Sequence, residues 1–215
     1  MPLNDKVLLE AIEEAKKKAT KRNFTQTVEL IINLKDVDTK KPENRFQESI
    51  ELPHKVKDKK ICVIASGDVA LRARRAGADL VMDRKELEAL SNNRRKIKEI
   101  SKSYDYFIAE GPLMPLVGRY MGFTLGPRGK MPTPIPPNAD VAEVIERHRR
   151  MVTLRLRGAP VLRCGVGRED MDSKEILENI KAVIERIQGR LKRGIKNIDT
   201  IYIKTTMGKP VKIKV

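Results

Sequence analysis

Apolar and polar positions alternate most cleanly near the two ends of the chain. Between positions 24 and 34, Val28, Leu30, Ile32 and Leu34 keep one phase and Thr27, Glu29, Ile31 and Asn33 the other, the period of two expected of a half-buried strand. A second strand is expected over 46–52, where Phe46, Ile50 and Leu52 are apolar and Pro53 stops it. Near the C-terminus, Ile201 and Ile203 oppose Tyr202 and Lys204, while Val211, Ile213 and Val215 oppose Lys212 and Lys214. Two strands follow from this, separated by Thr205, Thr206, Met207 and Gly208. Helical spacing marks 4–21, where Val7, Leu8, Ala11, Ile12, Ala15 and Ala19 are expected to share a face. It also marks a long helix carrying Ile176, Ile180, Val183, Ile184, Ile187 and Leu191, with Asp172 and Glu175 at the positions of a capping box. The alternation of 153–157, the Gly158, Ala159, Pro160 turn and the run 161–167 predict a hairpin.

The middle of the chain follows a different pattern. Short continuous apolar runs at 61–65, 80–82 and 104–109 are divided by helical stretches at 67–78 and 85–90, and a helix is expected over 139–150. A βαβ series of this kind implies a parallel sheet covered by helices on both faces. Between these elements, 111–137 is rich in glycine and proline and reads as irregular. Neither terminal part can bury the apolar side of its own small sheet. The expected organisation is therefore one split α+β domain, 1–59 with 151–215, and an inserted α/β domain, 60–150.

Charge narrows the choice of partner. The 215 residues carry a net charge of +16 with an isoelectric point near 9.9, a field suited to nucleic acid. Seven arginines and no carboxylate fall within 147–168, and Lys16, Lys17, Lys18, Lys21 and Arg22 close the first helix. No apolar run approaches the roughly 18 residues of a membrane span, so a cytosolic protein without a membrane partner is expected. Cys62 and Cys164, about a hundred positions apart, suggest neither a disulfide framework nor a zinc site. An enzyme reading, a nucleotide-dependent RNA-modifying enzyme using the parallel sheet, lacks GxGxxG and GxxxxGK[ST] strings; Ser66, Gly67 and Asp68 offer one glycine at a helix start. His54 and His148 have no companion at a catalytic or metal-binding spacing. Neither a catalytic residue, a metal nor a cofactor is expected.

Four strings carry a family resemblance. Leu125 to Pro132 spells LGPRGKMP, Thr205 to Gly208 spells TTMG, Phe24 to Glu29 spells FTQTVE, and Leu52, Pro53 and His54 follow the second strand. In this order they resemble the ribosomal protein L1 family, archaeal type, large-subunit proteins of the mobile stalk beside the tRNA exit site. The resemblance implies a split α+β domain that binds large-subunit rRNA, with an inserted Rossmann-like three-layer α/β/α domain holding no nucleotide. It also implies contact with exit-site tRNA, binding to the protein's own mRNA as a translational repressor, and a monomer when off the ribosome. By the same resemblance the RNA contacts fall on Phe24, Thr27, Glu29, Lys204, Thr205, Thr206, Met207 and Gly208. Flanking contacts fall on Arg45, His54, Gly165, Gly167 and Arg168. The chain departs from common family patterns at Gln26, where many relatives have an acid, and at Arg168, where bacterial members have lysine. Hydroxyls, backbone groups and two apolar side chains suit the shallow groove and 2′-hydroxyls of RNA. Four Phe, four Tyr and no Trp argue against an extended base-stacking platform in the chain.

Overall fold

The computed structural model describes residues 4–91, 93–136 and 138–213. Pro137, Lys214 and Val215, which end two of the stretches read above, lie outside the described residues. In chain order the elements are α1 (Asp5–Lys17), β1 (Thr27–Leu34), β2 (Phe46–Glu51), β3 (Ile61–Ile64), α2 (Gly67–Arg75), β4 (Leu80–Met82), α3 (Arg84–Leu90), α4 (Arg94–Ser103), β5 (Tyr106–Glu110) and α5 (Met114–Arg128). They continue with β6 (Thr133–Ile135), α6 (Val141–Arg150), β7 (Met151–Leu156), β8 (Val161–Arg168), α7 (Ser173–Arg190), β9 (Ile198–Thr205) and β10 (Val211–Ile213). Contacts divide the chain into Met1–Lys57 with Arg150–Val215, and Asp58–Arg149.

In the first unit, β1 alternates strictly between half-buried and buried positions, so one face of its sheet is core. The antiparallel order is β10-β9-β1-β8, and Leu8, Ile12 and Ala15 of α1 join Ile176, Ile180, Val183 and Ile187 of α7 over that face. The opposite phase, with Glu29, Ile31, Tyr202, Lys204 and Arg163, is left on the other side. A bulge between Val28 and Glu29 sets Val28 opposite Gly167 and Glu29 opposite Gly165.

The expected hairpin over 153–167 does not form as a ladder: β7 pairs with β2 in a separate two-stranded sheet, while β8 pairs with β1. The turn between them is held from elsewhere. Leu34 N–H donates to the Pro160 carbonyl at 2.8 Å and the Thr39 hydroxyl to that of Gly158 at 2.5 Å, so the chain changes sheets there. The N-cap of α7 is Asp172, but its carboxylate accepts from Lys174 N–H, and the Glu175 carboxylate stands 3.9 Å from His54 Nδ1. A complete capping box opens α3 instead, where Asp83 accepts from Glu86 N–H at 2.7 Å and Glu86 from Asp83 N–H at 3.0 Å.

The second unit is a parallel sheet of order β4-β3-β5-β6. Its central strand β3 is buried at every position, as two covered faces require. Ile61, Val63 and Ile108 pack against Val69 and Ala73 of α2 and Ile145 of α6. Cys62, Ile64 and Phe107 pack against Leu87 of α3, Ile97 of α4 and Val117 and Met121 of α5. The fold is thus mixed: a split α+β unit and a three-layer, Rossmann-like α/β/α unit.

The glycine-proline stretch is mostly helical, which corrects the irregular reading. Pro115 falls in the first turn of α5, where a missing N–H costs nothing, and burial of Val117, Met121 and Leu125 outweighs weak local propensity. The signature string ends that helix. Gly129 takes the left-handed conformation at φ 67° as its C-cap, bonding the Gly126 carbonyl. Lys130 Nζ then donates to the carbonyls of Ser101 and Tyr104, at 3.1 and 2.6 Å, at the end of α4.

Candidate nucleic-acid interface

The turn after β9 is locked to the start of β1 by backbone and hydroxyl groups. Thr206 N–H donates to the Thr27 carbonyl at 3.0 Å, and the Thr206 hydroxyl lies 3.2 Å from Thr27 N and 3.3 Å from Thr27 O. Met207 N–H donates to Gln26 Oε1 at 3.0 Å, and Lys204 Nζ to the Thr206 carbonyl at 3.1 Å. Gly208 N–H closes the turn on the Thr205 carbonyl at 3.0 Å. The Met207 side chain and the Phe24 ring are left 53% exposed each. Met207, on a turn bonded at so many points, is available for contact at little further ordering cost.

Gln26, which the family resemblance marked only as a departure, organises this corner. It is fully buried, and its Nε2 donates to the Thr20 carbonyl at 2.7 Å. Its backbone N–H reaches the Glu169 carboxylate at 2.9 Å, while Glu169 N–H reaches its carbonyl at 3.0 Å. A signal was present, since Gln26 continues the inward phase of Val28, Leu30 and Ile32 and a polar side chain there needs buried partners. Thr205 likewise continues the inward phase of Ile201 and Ile203. It is fully buried, and its Oγ1 has no hydrogen-bond partner.

Several expected positions meet at this corner. Glu29 faces Lys204 on β9 and Gly165 on β8, since β1 is an inner strand of the sheet. A Cβ on Gly165 would come 2.9 Å from Thr27 Cγ2. A Cβ on Gly208 would come 2.2 Å from Thr205 Oγ1 and 3.5 Å from the Lys18 carbonyl oxygen, so the basic end of α1 abuts the turn, with Lys17, Lys21 and Arg22 exposed. Arg168, opposite Thr27, pairs with Asp170 at 2.9 Å.

Others stand apart. Gly167 faces the helix: its Cβ would meet Ile176 Cγ1 at 2.5 Å, a packing requirement. His54 Nε2 lies 2.6 Å from Glu178 Oε2, and its backbone is held by Asn179. Arg45 precedes β2, donating to the carbonyls of Thr39 and Lys40 at 2.7 and 3.3 Å. It follows the Leu34 end of β1, seven residues or roughly 23 Å of strand from Thr27.

In the parallel unit, the strand end where a phosphate would bind carries its own carboxylate. Glu110 Oε2 takes both the backbone N–H and the hydroxyl of Ser66, each at 3.1 Å. His148 is buried, its ring nitrogens 2.7 Å from the Val144 carbonyl and 3.3 Å from the Thr133 hydroxyl. Among the described residues, no group of three or more His, Cys, Asp or Glu is placed to hold a metal ion, and no helix is long and apolar enough to cross a membrane.

These features define a class: strongly basic two-unit proteins in which a split α+β unit presents a rigid, solvent-facing strand end and carries an α/β insertion. The chain belongs to the ribosomal protein L1p/L10e family, whose model matches residues 15–209. It is 48% identical to the large ribosomal subunit protein uL1 of Pyrococcus abyssi, over 100% of this chain and 98% of that one. It is 45% identical to that of Methanothermobacter thermautotrophicus, over 96% and 98%, and 49% identical to that of Thermofilum pendens, over 96% and 92%.

Proposed function

We propose that this protein is a structural, non-enzymatic constituent of the large ribosomal subunit, cytoplasmic and ribosome-bound. Its strand-end corner binds large-subunit rRNA at the mobile stalk near the tRNA exit site. The single observation that carries the site is the exposure of Met207 on a turn whose backbone is already fixed by Thr27 and Gln26, with Phe24, two residues before Gln26, exposed as well. In this reading the ring and thioether lie on sugar or base faces, Gly208 lets the turn pack against Thr205 and the end of α1, and Glu29 accepts from a 2′-hydroxyl or a guanine amino group. Thr206 spends its hydroxyl on Thr27 and positions the turn, and Lys204, Arg163 and Arg168 steer phosphates. Contact with exit-site tRNA and repression through the protein's own mRNA belong to the same proposal, the latter because one surface can serve both RNAs.

Binding to an rRNA stalk fragment across a salt series tests the site. Met207→Ala and Thr206→Ala are expected to weaken binding by about 1–3 kcal/mol with the salt slope unchanged, and Arg163→Gln to lower that slope by about one. If both alanine variants bind like the parent and all loss follows the arginine, the corner is not the recognition site.

A further inference from the structure

The inserted unit carries an aromatic-arginine surface that the strand-end site does not use. Phe123 is 48% exposed on α5, and the Arg94 guanidinium of α4 lies over its ring at 5.7 Å. One turn earlier on α5, Arg119 lies 6.0 Å from the Tyr120 ring centroid. Arg84, at the start of α3, bonds Glu88 at 2.9 Å. That bond raises its pKa, and Tyr120 adds to the rise. Lys98, one turn after Arg94, is exposed as well. The inward sides of the same helices are buried through Leu87, Ile97, Val117 and Met121, so the aromatic-arginine side is their outer one.

Left half exposed, Phe123 forgoes part of its hydrophobic burial, and here the ring instead lies beneath a guanidinium group. A planar cation fixed on a ring accepts a nucleobase on its outer face, and neighbouring cations accept the phosphates on either side. Duplex bases are already stacked and cannot take that place. We propose that the outer face of α3, α4 and α5 is a second RNA contact, on which an unpaired base stacks on Arg94 backed by Phe123 while Arg84, Arg119 and Lys98 hold the flanking phosphates. This contact lies on the other unit from the strand-end site and does not depend on how that site is used.

The test uses the full chain carrying Thr206→Ala and Met207→Ala, which weakens the strand-end site, and a fluorescent short oligoadenylate. A blunt duplex of the same length serves as comparison. Phe123→Ala and Arg94→Lys are each expected to lower oligoadenylate affinity about tenfold or more, with duplex binding unchanged. Phe123→Tyr should retain affinity, which separates loss of stacking from loss of fold. Arg119→Gln is expected to lower binding of both probes and reduce the salt slope. The proposal is overturned if the background protein binds neither probe. It is equally overturned if Phe123→Ala and Arg94→Lys bind oligoadenylate like the background, or if they lose duplex and oligoadenylate alike.

Discussion

At the scale of single residues, three glycines of the candidate site do different work. A methyl group at Gly167 meets Ile176 Cγ1 at 2.5 Å, a branched side chain of α7 that cannot turn away without moving the helix. Gly167→Ala should therefore destabilise the protein by about 1–3 kcal/mol, read as a lower urea midpoint, and Gly167→Ala with Ile176→Ala should lose less than the two single changes summed. At Gly208 the closest atom is the hydroxyl oxygen of the fully buried Thr205, at 2.2 Å, with the backbone of Lys18 and Ala19 behind it, so Gly208→Ala should also lower the urea midpoint by displacing the turn. Gly165 stands against a methyl of Thr27 on the sheet face opposite the helices. The thiols divide in the same way: burial pushes Cys62 well above the usual thiol range, while Cys164 is half-buried. Iodoacetamide should modify Cys164 first, with mass spectrometry of timed digests as the check.

Among the elements, helix α7 and strand β8 are fastened through one side chain. Asn179 is fully buried; it accepts from His54 N–H at 2.9 Å and donates to the carbonyls of His54 and Val166 at 3.0 and 2.8 Å. Asn179→Leu leaves those backbone groups without their partner, at about 1–3 kcal/mol for each one that stays buried. Protection from hydrogen exchange should fall first around 52–56 and 164–168. The sequence made β1, β9 and α7 legible because one face of each is buried, and alternation or helical spacing records that directly. It also brought out Phe24, Thr27 and Met207 through family strings. It hid α5, since Gly118, Gly122 and Gly126 lower the local signal while only tertiary burial of Val117, Met121 and Leu125 holds the helix. The partner of β7 was hidden for a similar reason: a strand pattern records which side is apolar and nothing about which neighbour it meets. Gln26 was legible in principle, as a polar residue in an apolar phase, but its partners Thr20, Glu169 and Met207 come from three separate stretches.

For the whole molecule, the insertion point decides whether the two units are separable in function. The chain leaves the first unit after Lys57 and re-enters at Arg150, where β2 and β7 are already paired, Glu51 opposite Met151. Leu52 N–H donates to the Arg150 carbonyl at 3.1 Å, so the parent unit itself holds the chain close on both sides of the insertion at that pair, and Val56, buried in the same core, anchors the segment that runs on to Lys57. The first unit also keeps its own core from α1, β1, α7, β8 and β9. Replacing 58–149 by a Gly/Ser linker long enough to span from Lys57 to Arg150 should then leave a folded remainder, because lengthening a flexible loop adds little entropic cost. That remainder contains Gln26, Thr27 and the Thr205 to Gly208 turn, and should retain most of the affinity for the rRNA fragment. It should lose whatever oligoadenylate binding depends on Phe123. Circular dichroism establishes folding, and titration of both RNAs at matched salt separates the two contacts. An unfolded remainder would mean that the first unit draws stability from the insertion. A folded remainder without rRNA affinity would move recognition to 58–149 and leave the strand-end corner a structural turn.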